Sequence, residues 1–232
     1  MSWWQDYDKP KCTIHNVCPH SKNCTKTCCG YYQSQLMFDA SNLPKRALEV
    51  NKLVPEKVDQ EAYRICSKYK DNVLEYTQKG YGIYIFSKNI GNGKTTWAYK
   101  IGLEYIKQTS LIPEYNGSVY FVNVSELFEF LRINLNNKEL LWGIEDKIMN
   151  SELVIFDDLG VEAPTEWVSG KLYNYINHRY TNGKAMVFTS NLDYGQVAER
   201  VGSRIMDRIS DVCKRVEFKG VSRRRNNTWW DD

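Results

Sequence analysis

Lys88-Asn-Ile-Gly-Asn-Gly-Lys-Thr95 stands between a short apolar run, Ile83-Tyr-Ile-Phe86, and a stretch from Thr95 to Lys107. In that stretch Trp97, Ala98, Ile101 and Tyr105 recur at helical spacing. Strand, glycine-rich turn and helix form the context that a phosphate-binding loop requires. Backbone N–H groups around Gly91 and Gly93 can point inward because no Cβ blocks them, and the helix N-terminus adds partial positive charge. The expected ATP contacts are Asn89, Ile90, Gly91, Asn92, Gly93, Lys94, Thr95 and Thr96. Among them, Lys94 would reach the β- and γ-phosphates and the Thr95 hydroxyl would bind Mg²⁺. The pattern departs from G-x-x-x-x-G-K-[ST] at its first position, where Lys88 replaces glycine.

Moving downstream, Leu153-Val-Ile-Phe-Asp-Asp158 is an apolar strand ending in two carboxylates. In parallel α/β sheets ligands gather at the C-terminal strand edge, so these acids are expected to meet the loop. Asp157 is assigned to Mg²⁺ and Asp158 to the attacking water. Ala185-Met-Val-Phe-Thr-Ser190 reads as another buried strand, followed at once by Asn191. An amide at that tip can touch the γ-phosphate or the water, or cap the next helix.

Further elements follow from spacing. Val58 to Tyr76 reads as one amphipathic helix, Ser118 to Val124 as a strand, and Ser125 as the N-cap of a helix over 126–135. Helices are also expected over 140–149 and 167–180, and a closing strand over 215–218. Arg200, Arg204 and Arg208 fall at i, i+4 and i+8, one stripe if Val197 to Cys213 is a continuous helix. Arg223-Arg-Arg225 beside Trp229-Trp230 could contact single-stranded nucleic acid by charge and stacking, or form a frayed terminus.

At 232 residues, 42% hydrophobic and 25% charged, the chain has room for one α/β domain and a small appendage. A formal charge of +3 is too small to imply a nucleic-acid partner by itself. No apolar run follows Met1 and the longest apolar stretches are strand-sized, so neither a signal peptide nor a membrane span is expected. The expected location is the cytoplasm, where disulfides are rare.

Five of seven cysteines crowd into Cys12-x2-His15-x2-Cys18-x-His20-x3-Cys24-x3-Cys28-Cys29. Thiolate with imidazole suits tetrahedral Zn²⁺, and so short a segment needs a staple to fold. Cys12, Cys18, Cys24 and Cys28 are the first choice of ligands, with Cys29, His15 and His20 as substitutes. An iron–sulfur cluster and an unligated tail are the competing readings. Cys66 and Cys213 read as small buried hydrophobes. Pro44 and its polar neighbours mark a boundary, which divides the chain into residues 1–45 and 46–232.

Lys88 to Thr95, Leu153 to Gly160, Phe188-Thr-Ser-Asn191 and Gly202-Ser-Arg-Ile-Met-Asp-Arg208, taken as an ordered set, resemble AAA+ ATPases of the DnaC/DnaI helicase-loader type. The resemblance implies an α/β P-loop domain of three αβα layers around a mostly parallel sheet, without a C-terminal lid. It gives Asn191 the sensor role at the γ-phosphate. It also makes Arg208 or Arg204 the arginine finger that completes a neighbouring subunit's site, so a homo-oligomer is implied. The N-terminal cluster loosely resembles the metal-binding, helicase-contacting segment of some loaders.

The function implied is ATP-dependent loading of a hexameric replicative helicase onto single-stranded DNA. The alternatives are an IstB-type transposition helper, a P-loop small-molecule kinase and a non-hydrolysing binder. A GTPase is disfavoured, because no Asn-Lys-x-Asp guanine reader occurs.

Overall fold

Continuous runs of β-branched and aromatic residues form strands when helices can cover both of their faces. Here they give a five-stranded sheet of β1 (Gly82–Phe86), β2 (Val119–Asn123), β3 (Leu153–Asp157), β4 (Ala185–Ser190) and β5 (Cys213–Glu217). The computed structural model describes residues 29–50, 54–110, 112, 115, 117–161 and 165–222, with side chains from residue 33 onward. All four strand pairings are parallel and the order is β2-β3-β4-β1-β5.

Side chains alternate between the two faces with the strand period of two. Tyr84 and Phe86 point into one core, where the Phe156 and Phe188 rings stack at 5.2 Å. Ile83 and Ile85 point into the other core with Trp97 and Tyr105. The first core is closed by α5 (Val124–Ile133), α6 (Lys138–Asn150), α7 (Glu166–Thr181), α8 (Tyr194–Val201) and α9 (Ser203–Val212). The second is closed by α1 (Cys29–Ala40), α2 (Gln60–Asp71), α3 (Val73–Gln78) and α4 (Lys94–Thr109). Cys66 and Cys213 are buried free thiols, as their apolar surroundings predict. No helix among the described residues is long and apolar enough to cross a membrane.

Phe38, Leu43 and Ala47 are buried in the second core, and Asn42 Nδ2 donates to Phe121 O at 2.9 Å at the β2 edge of the sheet. Residues 38–47 are thereby fixed to the body.

Several expectations are corrected. The helix expected over 58–76 is two helices, broken at Asn72 (φ −112, ψ 25). The cap of α5 is Asn123, whose side chain accepts the Glu126 N–H, and not Ser125. The segment from Val197 to Cys213 is no single helix: Gly202 (φ 107) separates α8 from α9, and the closing strand begins at Cys213. The arginine stripe is therefore divided between two helices.

Buried Arg179 locks this architecture. Its guanidinium donates to the carbonyls of Ile148, Ser151, Glu152 and Ala185 at 2.6–3.1 Å, joining the end of α6 to the starts of β3 and β4. Burial pulls its pKa down to about 9.

Candidate nucleotide site

Because β4 lies between β1 and β3, its tip sits between the glycine-rich loop after β1 and the acid pair at the end of β3. The three tips are stitched together. Ser87 N–H donates to Ser190 O at 3.2 Å, and Leu159 N–H to Thr189 O at 2.9 Å. Ser190 Oγ donates to Leu159 O at 2.7 Å.

The loop is shaped by Gly91 (φ 77) and Gly93 (φ 101), whose left-handed backbone disfavours any residue with a Cβ. Gly93 caps α4 without a side-chain hydrogen bond, so no capping side chain occupies the first-turn N–H groups beside the loop. That is an anion cradle. Lys88 is exposed and is not among the residues of positive φ, so replacing glycine there costs no backbone strain. Lys94, only 6% exposed, donates from Nζ to Asn89 O at 3.1 Å and Asn92 Oδ1 at 3.4 Å. Asn92 is fully buried and donates to Ser87 Oγ at 2.6 Å. Asn89 and Ile90 are exposed on the outer rim, and Thr96 is half-buried in the first turn of α4.

At the acid pair, Thr95 Oγ1 donates to Asp157 Oδ2 at 3.3 Å, bringing the two expected Mg²⁺ ligands together. Hydroxyl and carboxylate are the hard oxygen donors this cation takes. Thr189 Oγ1 donates to the other oxygen, Asp157 Oδ1, at 2.5 Å, and accepts Asp158 N–H at 3.0 Å. Asp158 holds φ 59, a conformation uncommon outside glycine. Burial pushes the Asp157 carboxyl up to about 6, with the Asp158 charge adding, against the Thr189 and Thr95 hydroxyls and Lys94.

Asn191, half-buried just beyond β4, makes no side-chain hydrogen bond among the described residues. The two finger candidates differ sharply. Arg208 is held by its own chain: Nε donates to Asn177 Oδ1 at 2.7 Å, Nη2 to Tyr173 Oη at 3.1 Å, and the guanidinium lies 4.9 Å from the Tyr173 ring centre. Arg204 is exposed on the first turn of α9, and its side chain makes no hydrogen bond or ion pair among the described residues. Arg200 serves locally, donating to Gly160 O at 3.0 Å.

Sequence reading missed Thr189 as an organiser of the site, and it named Asn92 as a nucleotide contact and not as the buried brace of the loop. Their signals were a hydroxyl one residue inside a strand tip and an amide between two loop glycines. The expected metal ligands Cys12, Cys18, Cys24 and Cys28, with His15 and His20, lie outside the described residues, as does the Arg223–Trp230 stretch. Among the described residues no group of three or more His, Cys, Asp or Glu could hold a metal ion.

Comparison with known proteins places these features. The model of the IstB-like ATP binding protein family matches residues 72–229. The replicative helicase loader DnaC of Buchnera aphidicola subsp. Baizongia pistaciae is 24% identical over 195 residues, 76% of each chain. The replicative helicase loader DnaI of Bacillus subtilis is 27% identical over 164 residues, 64% of this chain; the match spans about half (49%) of that protein. The crystal structure of the DnaC helicase loader superposes with a TM-score of 0.64 at 22% identity, covering 76% of this chain and all of that one. The shared fold is that of P-loop AAA+ proteins.

Proposed function

Since the chain belongs to the IstB-like ATP-binding family, we propose that it is an ATPase that loads a hexameric replicative helicase onto single-stranded DNA. The observation that carries this reading is the junction of Asp157 and Asp158 at the end of β3, Thr189 near the end of β4 and Thr95 in the first turn of α4. The named loaders that align with it support the biological role.

In the proposed reaction the N–H groups of the loop and α4 cradle the β- and γ-phosphates, and Lys94 leaves its carbonyl partner to pair with them. Thr95 and Asp157 would hold Mg²⁺, which neutralises phosphate charge. Asp158 orients the attacking water and takes its proton, and Asn191 contacts the γ-phosphate. An arginine from the next subunit supplies charge to the transition state, so turnover requires assembly. Of the two candidates, Arg204 is the one whose side chain is uncommitted among the described residues. Residues 1–45 grip the helicase, with zinc bound by the cysteines of residues 12–28.

The test is ATP turnover against protein concentration, with and without single-stranded DNA and the cognate helicase. Turnover per chain should rise with concentration and respond to DNA or helicase. A flat, partner-independent rate contradicts the loader reading.

A further inference from the structure

Asp59, the residue before α2, is fully buried and lies 35 positions ahead of Lys94 in the sequence. Its carboxylate accepts two backbone N–H groups from the segment after β5: Lys219 at 2.7 Å, and Gly220 at 3.1 and 3.2 Å. A Cβ on residue 220 would collide with Asp59 Oδ2, so any other residue there would push the carboxylate aside.

The same two residues turn their carbonyls toward the phosphate loop. Asn89 Nδ2 donates to Lys219 O and to Gly220 O, both at 3.0 Å, and Asn92 Nδ2 approaches Gly220 O at 3.5 Å. Asn89 and Asn92 bracket Gly91, and each furnishes an acceptor to Lys94 Nζ. Asp59 therefore holds the N–H side of a short strap whose carbonyl side holds the loop. Phe218 N–H donates to Phe86 O at 2.8 Å, anchoring the strap where the loop leaves β1.

We infer that Asp59 is a positioning residue for nucleotide binding: through Lys219 and Gly220 it presets Asn89 and Asn92, and with them the loop that receives phosphate. The inference rests on the reading of this loop as the ATP site. A carboxylate that merely joined α2 to the strap would alter stability without altering affinity for ATP. A carboxylate that presets the loop alters affinity, and alters it through Asn89. By linkage the effect is reciprocal, so bound ATP must stabilise the strap.

The experiment measures equilibrium binding of a fluorescent ATP analogue with Mg²⁺ to the full chain, comparing wild type, Asp59→Asn, Asn89→Ala and the double variant. Each single change should raise Kd about tenfold, the effect of losing one charge-assisted or well-made hydrogen bond. The double change should raise it no further, because both act on one path. In wild-type protein the Lys219 and Gly220 amides should exchange with solvent more slowly once ATP is added, a readout that needs no variant. Unchanged affinity in Asp59→Asn, strictly additive effects, or strap amides indifferent to ATP would each overturn the inference while leaving the ATP site intact. Wild-type protein that binds no ATP would overturn both.

Discussion

Thr189 donates a hydrogen bond from its hydroxyl to Asp157 at 2.5 Å and accepts one from the Asp158 amide at 3.0 Å. One side chain on the middle strand thus aims one oxygen of the carboxylate proposed to hold Mg²⁺ and fixes the backbone that presents the other acid. The remaining oxygen of Asp157 is left facing Thr95.

Thr189→Val should preserve the strand, since valine is nearly isosteric, but release both acids. Loss of a hydrogen bond to a charged group, about 1.5–3 kcal/mol, predicts a fall in kcat of about 10- to 100-fold. Thr189→Ser should restore most of it. Steady-state ATPase assays of the two variants check this, and equal rates would show that the hydroxyl is dispensable.

Arg204→Ala and Arg208→Ala should separate. The Arg204 side chain has no hydrogen-bond or ion-pair partner among the described residues to lose, so its removal should leave the melting temperature unchanged while abolishing the concentration-dependent part of ATP turnover. Removing Arg208 breaks its bonds to Asn177 and Tyr173, which predicts a stability loss of about 1–2 kcal/mol for this half-buried side chain. Thermal melts read alongside turnover distinguish the two. A silent Arg204→Ala would remove it as the finger.

Burial holds the Asp157 carboxyl at about 6, above its usual range. A proton and Mg²⁺ compete for the same oxygens, so Mg²⁺-dependent ATP affinity should fall as pH drops through about 6. In metal-free protein the sign for folding stability is the reverse: the folded state holds this proton more tightly than the unfolded chain. The stability so gained is present at low pH and lost as pH rises through the folded pKa. Titrations of ATP binding with and without Mg²⁺ across this range test the first effect. Equal affinity at pH values on either side of about 6 would contradict it.

Arg179→Met should be among the most destabilising single changes in the body, by about 3–5 kcal/mol, because it strands buried carbonyls at the ends of α6, β3 and β4. Chemical denaturation measures it. A loss under about 1 kcal/mol would mean that water reaches those carbonyls.

Much of the sheet was legible in the sequence because buried parallel strands are continuous apolar runs, and residues 83–86, 153–157 and 185–190 have no competing period. Helix breaks were not. At Asn72 the apolar spacing continues straight into Val73, and at Gly202 it continues into Ile205, so side-chain periodicity carries across a backbone that does not. Asn123 and Ser125 are both competent caps; the turn out of β2 chooses between them. In the site, Lys94, Thr95, Asp157 and Asp158 stand out by type and order. Thr189 does not, since threonine in a strand is ordinary. Asp59 was beyond reading, because its partner Gly220 is 161 residues away.

The pairing of β1 with β5 has a consequence for synthesis. Among the described strands, the first to leave the ribosome waits for the last: Gly82 to Phe86 gain their second neighbour only when Cys213 to Glu217 arrive. The brace from Gly220 to Asn89 forms later still. Until then the nascent chain carries the loop residues proposed to meet phosphate and none of the strap that holds the loop in shape, so competence to bind nucleotide should be acquired only after residue 220 has emerged.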